Sequence, residues 1–159
     1  MKVKRKREEI LEEYLLALIL QHADAKPFTH LVVEILSHDI LDRLSQKELV
    51  RHLLNYFQSI NTFNSDHFSK GLPIRLSANF DRLFLLPVPQ FPDDKAYAYE
   101  VRKVAQELHG MYVRTMIKEL GEQIKQRQIE TSAKGLSDDQ DAELERLQQK
   151  QAELAARLK

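Results

Sequence analysis

Two apolar rows near the C-terminal end constrain this chain more than any other feature. Val113, Ile117, Leu120 and Ile124 recur at spacings of 4, 3 and 4, and Leu147, Gln151, Leu154 and Leu158 repeat the same spacings. Alternation of four and three is the period of a helical seam. If the chain turns back at Gly135–Leu136, Ile124 faces Leu147, Leu120 faces Gln151, Ile117 faces Leu154 and Val113 faces Leu158. The stretch from about Asp93 to Lys159 therefore reads as a long antiparallel helical hairpin. Residues 121–159 are mostly Glu, Gln, Lys, Arg, Ala and Leu, enough to bury a stripe but not a core. A hairpin projecting from a small domain offers surface to a partner, which argues for a binding module rather than an enzyme.

The core has to come from the first half, where all seven Phe lie between residues 10 and 91. Ile10, Leu11, Tyr14, Leu15, Leu18 and Ile19 form a wide apolar stripe, with Glu8, Glu9, Glu12 and Glu13 opposite. Pro27 ends or separates this helix from the next. The pattern continues through Leu31, Ile35 and Leu36 to Leu41 and Leu44. Ser45 with Glu48 has the S-x-x-E form of a capping box before Leu49, Leu53, Leu54, Tyr56 and Phe57. A short piece at Asp66–Lys70 stops at Gly71, and a helix over about Ile74–Leu86 carries Leu76, Phe80, Leu83 and Phe84. Three Pro in the six residues from Pro87 to Pro92 form a joint. Asp93–Asp94 suit a new helix start, and the helix runs through Tyr97, Val101, Val104, Leu108 and Tyr112 into the seam. Gly110 and Gly121 are expected to kink or weaken it. Gly135 suits a C-terminal cap, and Ser137 with Gln140 forms a second capping box. No strand pattern emerges. The expected architecture is all-α: a basic segment at 1–7, a small multi-helix bundle at 8–92, and a long helix with a C-terminal hairpin at 93–159.

At 159 residues the chain is one domain, or one domain with an appendage. Lys+Arg and Asp+Glu balance at 24 each, which removes any global attraction to nucleic acid or acidic membranes. The basic opening MKVKRKR is the exception, and no aromatic residue interleaves with it. Absence of Cys excludes disulfides and Cys-ligated zinc and suits the cytoplasm. Tyr14–Ala23 is about half the ~20 residues of a membrane span. No phosphate loop, zinc-helix motif or nucleophile elbow occurs. His22, His30, His38, His52, His67 and His109 never pair at i, i+4; His22, His30 and His38 are eight apart but straddle Pro27, and read as surface or helix-end residues. The acidic clusters at Asp93–Asp94 and Asp138–Asp141 sit at helix starts. No catalytic residue, metal or cofactor is expected.

The segments EEYLLALILQH (Glu12–His22), LPIRLSANFDRLFLLP (Leu72–Pro87), YVRTMIKELGEQIKQRQ (Tyr112–Gln128) and DDQDAELERLQQKQAELAARLK (Asp138–Lys159) follow one another in a familiar order. That order resembles the C-terminal helicase-binding region of bacterial DnaG-type DNA primases. The likeness spans nearly the whole chain and rests on leucine patterns in sequence. It implies that residues 8–92 correspond to the family's helical subdomain, itself similar to the N-terminal domain of the partner helicase. It also implies that residues 93–159 include the hairpin that docks on that domain of a replicative DnaB-type helicase, coupling priming to unwinding. The primase family's zinc-binding and polymerase portions are missing, so primer synthesis is not expected of this chain alone. A C-terminal fragment and a stand-alone relative both remain open.

On this reading the seam residues hold the hairpin closed. Its exposed side and tip, at Gln126, Gln148, Lys150, Ala155, Arg157, Leu158 and Lys159, are the candidate partner contacts. Gln151 is either a register device or a residue at a wet edge. Two rivals stand beside this reading. One is a coiled-coil protein that self-associates through 113–158. The other is a small nucleic-acid-binding protein using MKVKRKR with Arg102, Lys103, Lys118, Lys125 and Arg127. A weak nucleic-acid contact through the basic N-terminus is compatible with helicase docking, and no membrane contact is expected.

Overall fold

A computed structural model describes residues 6–134 and 138–158, with side chains for 6–130 and 141–158. Those residues form seven helices: α1 (Arg7–Gln21), α2 (Ala25–Leu41), α3 (Lys47–Ser59), α4 (Ser65–Lys70), α5 (Ile74–Phe84), α6 (Asp94–Lys134) and α7 (Asp138–Ala156). No strand occurs among them, so the protein is all-α. The chain forms two compact units, Met1–His109 and Gly110–Lys159.

The first unit is built around α1. Leu15 through Leu20 are six successive residues with exposures of 3% or less. A helix apolar on every side must be surrounded, so the expected stripe understates this one. Ile10, placed on that stripe, is instead 53% exposed, and Glu12, placed on the solvent side, is 1% exposed. The reason for Glu12 lies at the start of α3. Its Oε1 accepts the Gln46 backbone N–H at 2.7 Å and the Ser45 hydroxyl at 3.1 Å. The Ser45–Glu48 capping box is therefore not formed: the Ser45 hydroxyl donates to Glu12, and Glu48 pairs with Arg75. The cap is supplied from another helix.

The same helix serves α5 at its other end. Gln21 Nε2 donates to the carbonyls of Leu83 and Leu86 at 3.0 and 2.7 Å. Leu83 lies in the last turn of α5, where its carbonyl accepts the tight Leu86 N–H turn bond at 3.2 Å from the backbone, and Leu86 follows just past the helix end, so both have capacity for a further donor. The carbonyl of Leu18, in the last turn of α1, accepts the Tyr97 hydroxyl of α6.

Pro27 does not divide α1 from α2. It is the third residue of α2, in the first turn, where its missing N–H costs no hydrogen bond. The break falls at His22–Asp24. A second break occurs inside α2 at Ser37, whose φ of 66° and ψ of 163° lie in a region nearly confined to glycine. Leu36 and Ile40, on either side, are fully buried. A ring cluster of Tyr56, Phe57, Phe63, Phe68 and Phe80 fills the space between α3, α4 and α5, with neighbouring centroids 5.3–5.9 Å apart. Phe68, 3% exposed, anchors the one-and-a-half-turn α4, which is capped by the Asn64 side chain.

The bundle does not close at Pro92. Asp93 caps α6 through the Ala96 N–H at 2.7 Å, in keeping with the expected helix start. The first turns of α6 then run against α1. Arg7 bonds Glu107, Tyr14 bonds Glu100, Tyr97 bonds the Leu18 carbonyl and His22 meets Asp94. As the number rises on α1 it falls on α6, so the two are antiparallel. Val101, Val104, Ala105 and Leu108 are buried on the inner face.

Three outcomes test this packing by chemical denaturation. Glu12→Ala strips α3 of its cap and is expected to cost about 1–3 kcal/mol. Leu83→Ala, at a fully buried site, is expected to cost about 2–5 kcal/mol, and Leu158→Ala, at 38% exposure, much less. Ser37→Gly is expected to stabilise, since glycine adopts the local backbone without strain. Tyr97 supplies a pH test. Burial, with the nearby Tyr14, pushes its hydroxyl from 10.0 up to about 12. A pKa raised by folding means stability fully present below pH 10 and lost as pH rises toward about 12. Tyr97→Phe is expected to flatten that alkaline limb; an unchanged limb would place its origin elsewhere.

Candidate interaction surface

In the second unit, Val113, Met116, Leu120 and Ile124 on α6 are each at most 8% exposed, and Leu154 on α7 is 3% exposed. Ile117, Leu147 and Gln151 are half-buried, and Leu158 is exposed. Met116, one residue before Ile117, was outside the expected row; its position three after Val113 is the signal that marks it. Leu144, also half-buried, extends the α7 row by one step.

Polar contacts between described residues of α6 and α7 include two pairs. Gln151 Nε2 donates to the Ile117 carbonyl at 3.2 Å, and Arg127 pairs with Glu143 at 2.7 Å. In these two pairs the residue number falls on α7 as it rises on α6. The closing turn at Gly135–Leu136 and the Ser137–Gln140 capping box lie outside the described residues.

Gln151 is the polar member of its row, and its geometry explains a glycine. A Cβ on Gly121 would lie 3.2 Å from Gln151 Nε2, closer than side chains ordinarily approach. Gly121 sits one turn after Ile117, so its lack of a side chain opens the helix surface at that carbonyl. The amide of Gln151 fills the opening. α6 runs through Gly110 and Gly121 as a single helix.

Among the candidate contacts, Gln126, Gln148, Lys150, Ala155, Arg157 and Leu158 are all exposed, and Lys159 lies outside the described residues. They do not share one face. With 3.6 residues per turn, Gln148 and Ala155 fall on one flank of the α7 row and Lys150 and Arg157 on the other. Gln126 lies on the side of α6 away from its row.

The first unit contains two polar clusters that could be taken for reactive sites. His22 Nδ1 accepts the Asp24 N–H at 2.9 Å, which directs Nε2 toward Asp94 at 3.3 Å, and its ring lies against Phe28 and Tyr97. This is a histidine closing a helix end, as expected for a C-cap. A cleft of about 360 Å³ is lined by Ser45, Gln46, Arg75, Asn79 and neighbours. Its side chains are bonded to one another or to Glu12: Arg75 to Glu48, Asn79 to Gln46, Ser45 to Glu12. Among the described residues, no group of three His, Asp or Glu is placed to hold a metal ion, and no helix is long and apolar enough to cross a membrane. Comparison with protein-family models, curated proteins and solved structures returns no match to this chain.

Gly121→Leu tests the close approach directly. The larger side chain must displace the Gln151 amide, and the expected cost is about 1–3 kcal/mol, typical of overpacking. Combined with Gln151→Ala the penalty is expected to shrink, a non-additivity that a double-mutant cycle reads. Strict additivity would mean the two residues do not meet.

Proposed function

We propose that this protein is a protein–protein interaction module, related to the C-terminal region of DnaG-type primases, that docks on the N-terminal domain of a replicative DnaB-type helicase in the cytoplasm. It contributes no chemistry of its own. One observation carries the reading: residues 110–159 are a compact unit separate from the body, with one buried stripe and long exposed flanks. A unit of that form gains little by existing unless a partner uses its surface. The order of the leucine motifs, from Glu12–His22 to Asp138–Lys159, supplies the partner.

Recognition on this model uses a few apolar or shape-fitting contacts inside a polar rim. The separate flanks of α7 make the model specific. Ala155 beside Gln148 offers a small, flat area that a partner helix can approach closely. Lys150 with Arg157 offers charge, and exposed ion pairs are worth only about 0–1 kcal/mol.

Titration calorimetry of the full chain against the helicase tests this. Gln148→Glu with Ala155→Glu is expected to weaken binding at least about tenfold, which is 1.4 kcal/mol. Lys150→Glu with Arg157→Glu is expected to weaken it less. Deleting residues 138–159 is expected to abolish the complex. Full affinity in both the double variants and the deletion would move the site to the body and end this assignment. Concentration-dependent self-association without any helicase binding would favour the coiled-coil rival.

A further inference from the structure

The outer face of the first turns of α6 carries a group of residues that the packing of the body does not use. Lys95, Tyr99, Arg102, Lys103 and Gln106 are all exposed. At 3.6 residues per turn they share one side of the helix, opposite the buried Val101, Val104 and Leu108. Tyr99 is 68% exposed, high for a large aromatic ring on a polar face. It lies one turn from Lys95 on one side and from Lys103 on the other. None of Lys95, Tyr99, Arg102 and Lys103 makes a hydrogen bond, ion pair or ring contact with another described residue. The nearby acids are engaged: Asp93 caps α6, Asp94 meets His22, Glu100 accepts from Tyr14 and Glu107 pairs with Arg7.

That last pair adds a second observation. The 2.6 Å contact between Arg7 and Glu107 fastens the start of α1 beside Gln106. In sequence, Lys2, Lys4, Arg5 and Lys6 precede Arg7 within five positions. The overall charge is balanced, so this positive character is local.

We infer that the Lys95–Tyr99–Arg102–Lys103 face of α6 binds single-stranded nucleic acid, with a base stacked on Tyr99 and phosphates held by the flanking cations. An acidic protein surface would also be drawn to the charge, but it has no use for an exposed ring between two lysines. A single strand uses both, since stacking on an aromatic ring is tolerant of sequence and the backbone tracks a cationic strip. The site lies wholly in the first unit, so its failure leaves the helicase assignment untouched.

Fluorescence anisotropy of the full chain with a labelled oligothymidylate tests the inference. Binding is expected at low salt, with affinity falling as salt rises. Tyr99→Ala is expected to weaken it about tenfold or more, whereas Tyr99→Phe keeps the ring and should stay within about twofold. Replacing Lys95, Arg102 and Lys103 by Gln is expected to lower the slope of log affinity against log salt by about 2, near 0.7 per lost phosphate contact. These residues are exposed, and unchanged circular dichroism would confirm that folding is intact. Three results would overturn the proposal: no binding at low salt; equal affinity for Tyr99→Ala and the native chain, with loss only when residues 1–6 are removed; or displacement by polyglutamate as effective as by unlabelled oligonucleotide.

Discussion

The carboxylate of Glu12 sits in the middle of the body, 1% exposed, on a helix whose other inner residues are Leu, Ile and Ala. A buried polar group without partners costs several kcal/mol. Here the cost is offset because the Gln46 backbone N–H and the Ser45 hydroxyl, at the start of α3, both donate to one of its oxygens. Three residues before the end of α1, the Leu18 carbonyl receives Tyr97, and at the end Gln21 donates to the carbonyls of Leu83 and Leu86 where α5 finishes. One apolar helix thus satisfies backbone groups at the ends of α3 and α5 and offers a carbonyl of its own to α6. Each bond fixes where a helix must begin or end relative to α1, which a greasy surface alone cannot do. The arrangement of α3, α5 and the first turns of α6 follows from these contacts.

Much of this was legible in the sequence. Periodicity located the helices, the Pro87–Pro92 segment and the start at Asp93, and the absence of alternating strand patterns excluded a sheet. The misplacements share a cause. Ser45 and Glu48 have the spacing of a local cap, but a carboxylate from a distant part of the chain wins the donors. Glu12 looked like a solvent-side residue because its neighbours in sequence are acidic. Pro27 looked like a boundary because proline breaks helix interiors, yet a first turn tolerates it. Local rules describe what a segment can do alone, and tertiary partners decide which option is taken.

The second unit was read from spacing, and its contacts refine that reading. Gly121 appeared as a weakness in a long helix. Its function is to let Gln151 reach a backbone carbonyl, a pairing that no pattern of apolar residues encodes. Met116 and Leu144 join the apolar rows because a helix buries a band rather than a line. The candidate partner residues that are described, Gln126 to Leu158, are exposed, but they divide among several faces, since exposure was inferred from residue type and not from angular position.

The protein thus combines a body organised by α1 with a second unit whose long flanks are open. We assign partner recognition to the second unit and single-strand contact to the outer face of the first. Hydrogen–deuterium exchange of the full chain, alone and with the DnaB-type helicase, tests the central assignment most directly. The account predicts new protection concentrated in residues 138–158, with 6–92 unchanged. Protection confined to 6–92, with 138–158 exchanging as in the free chain, would contradict it.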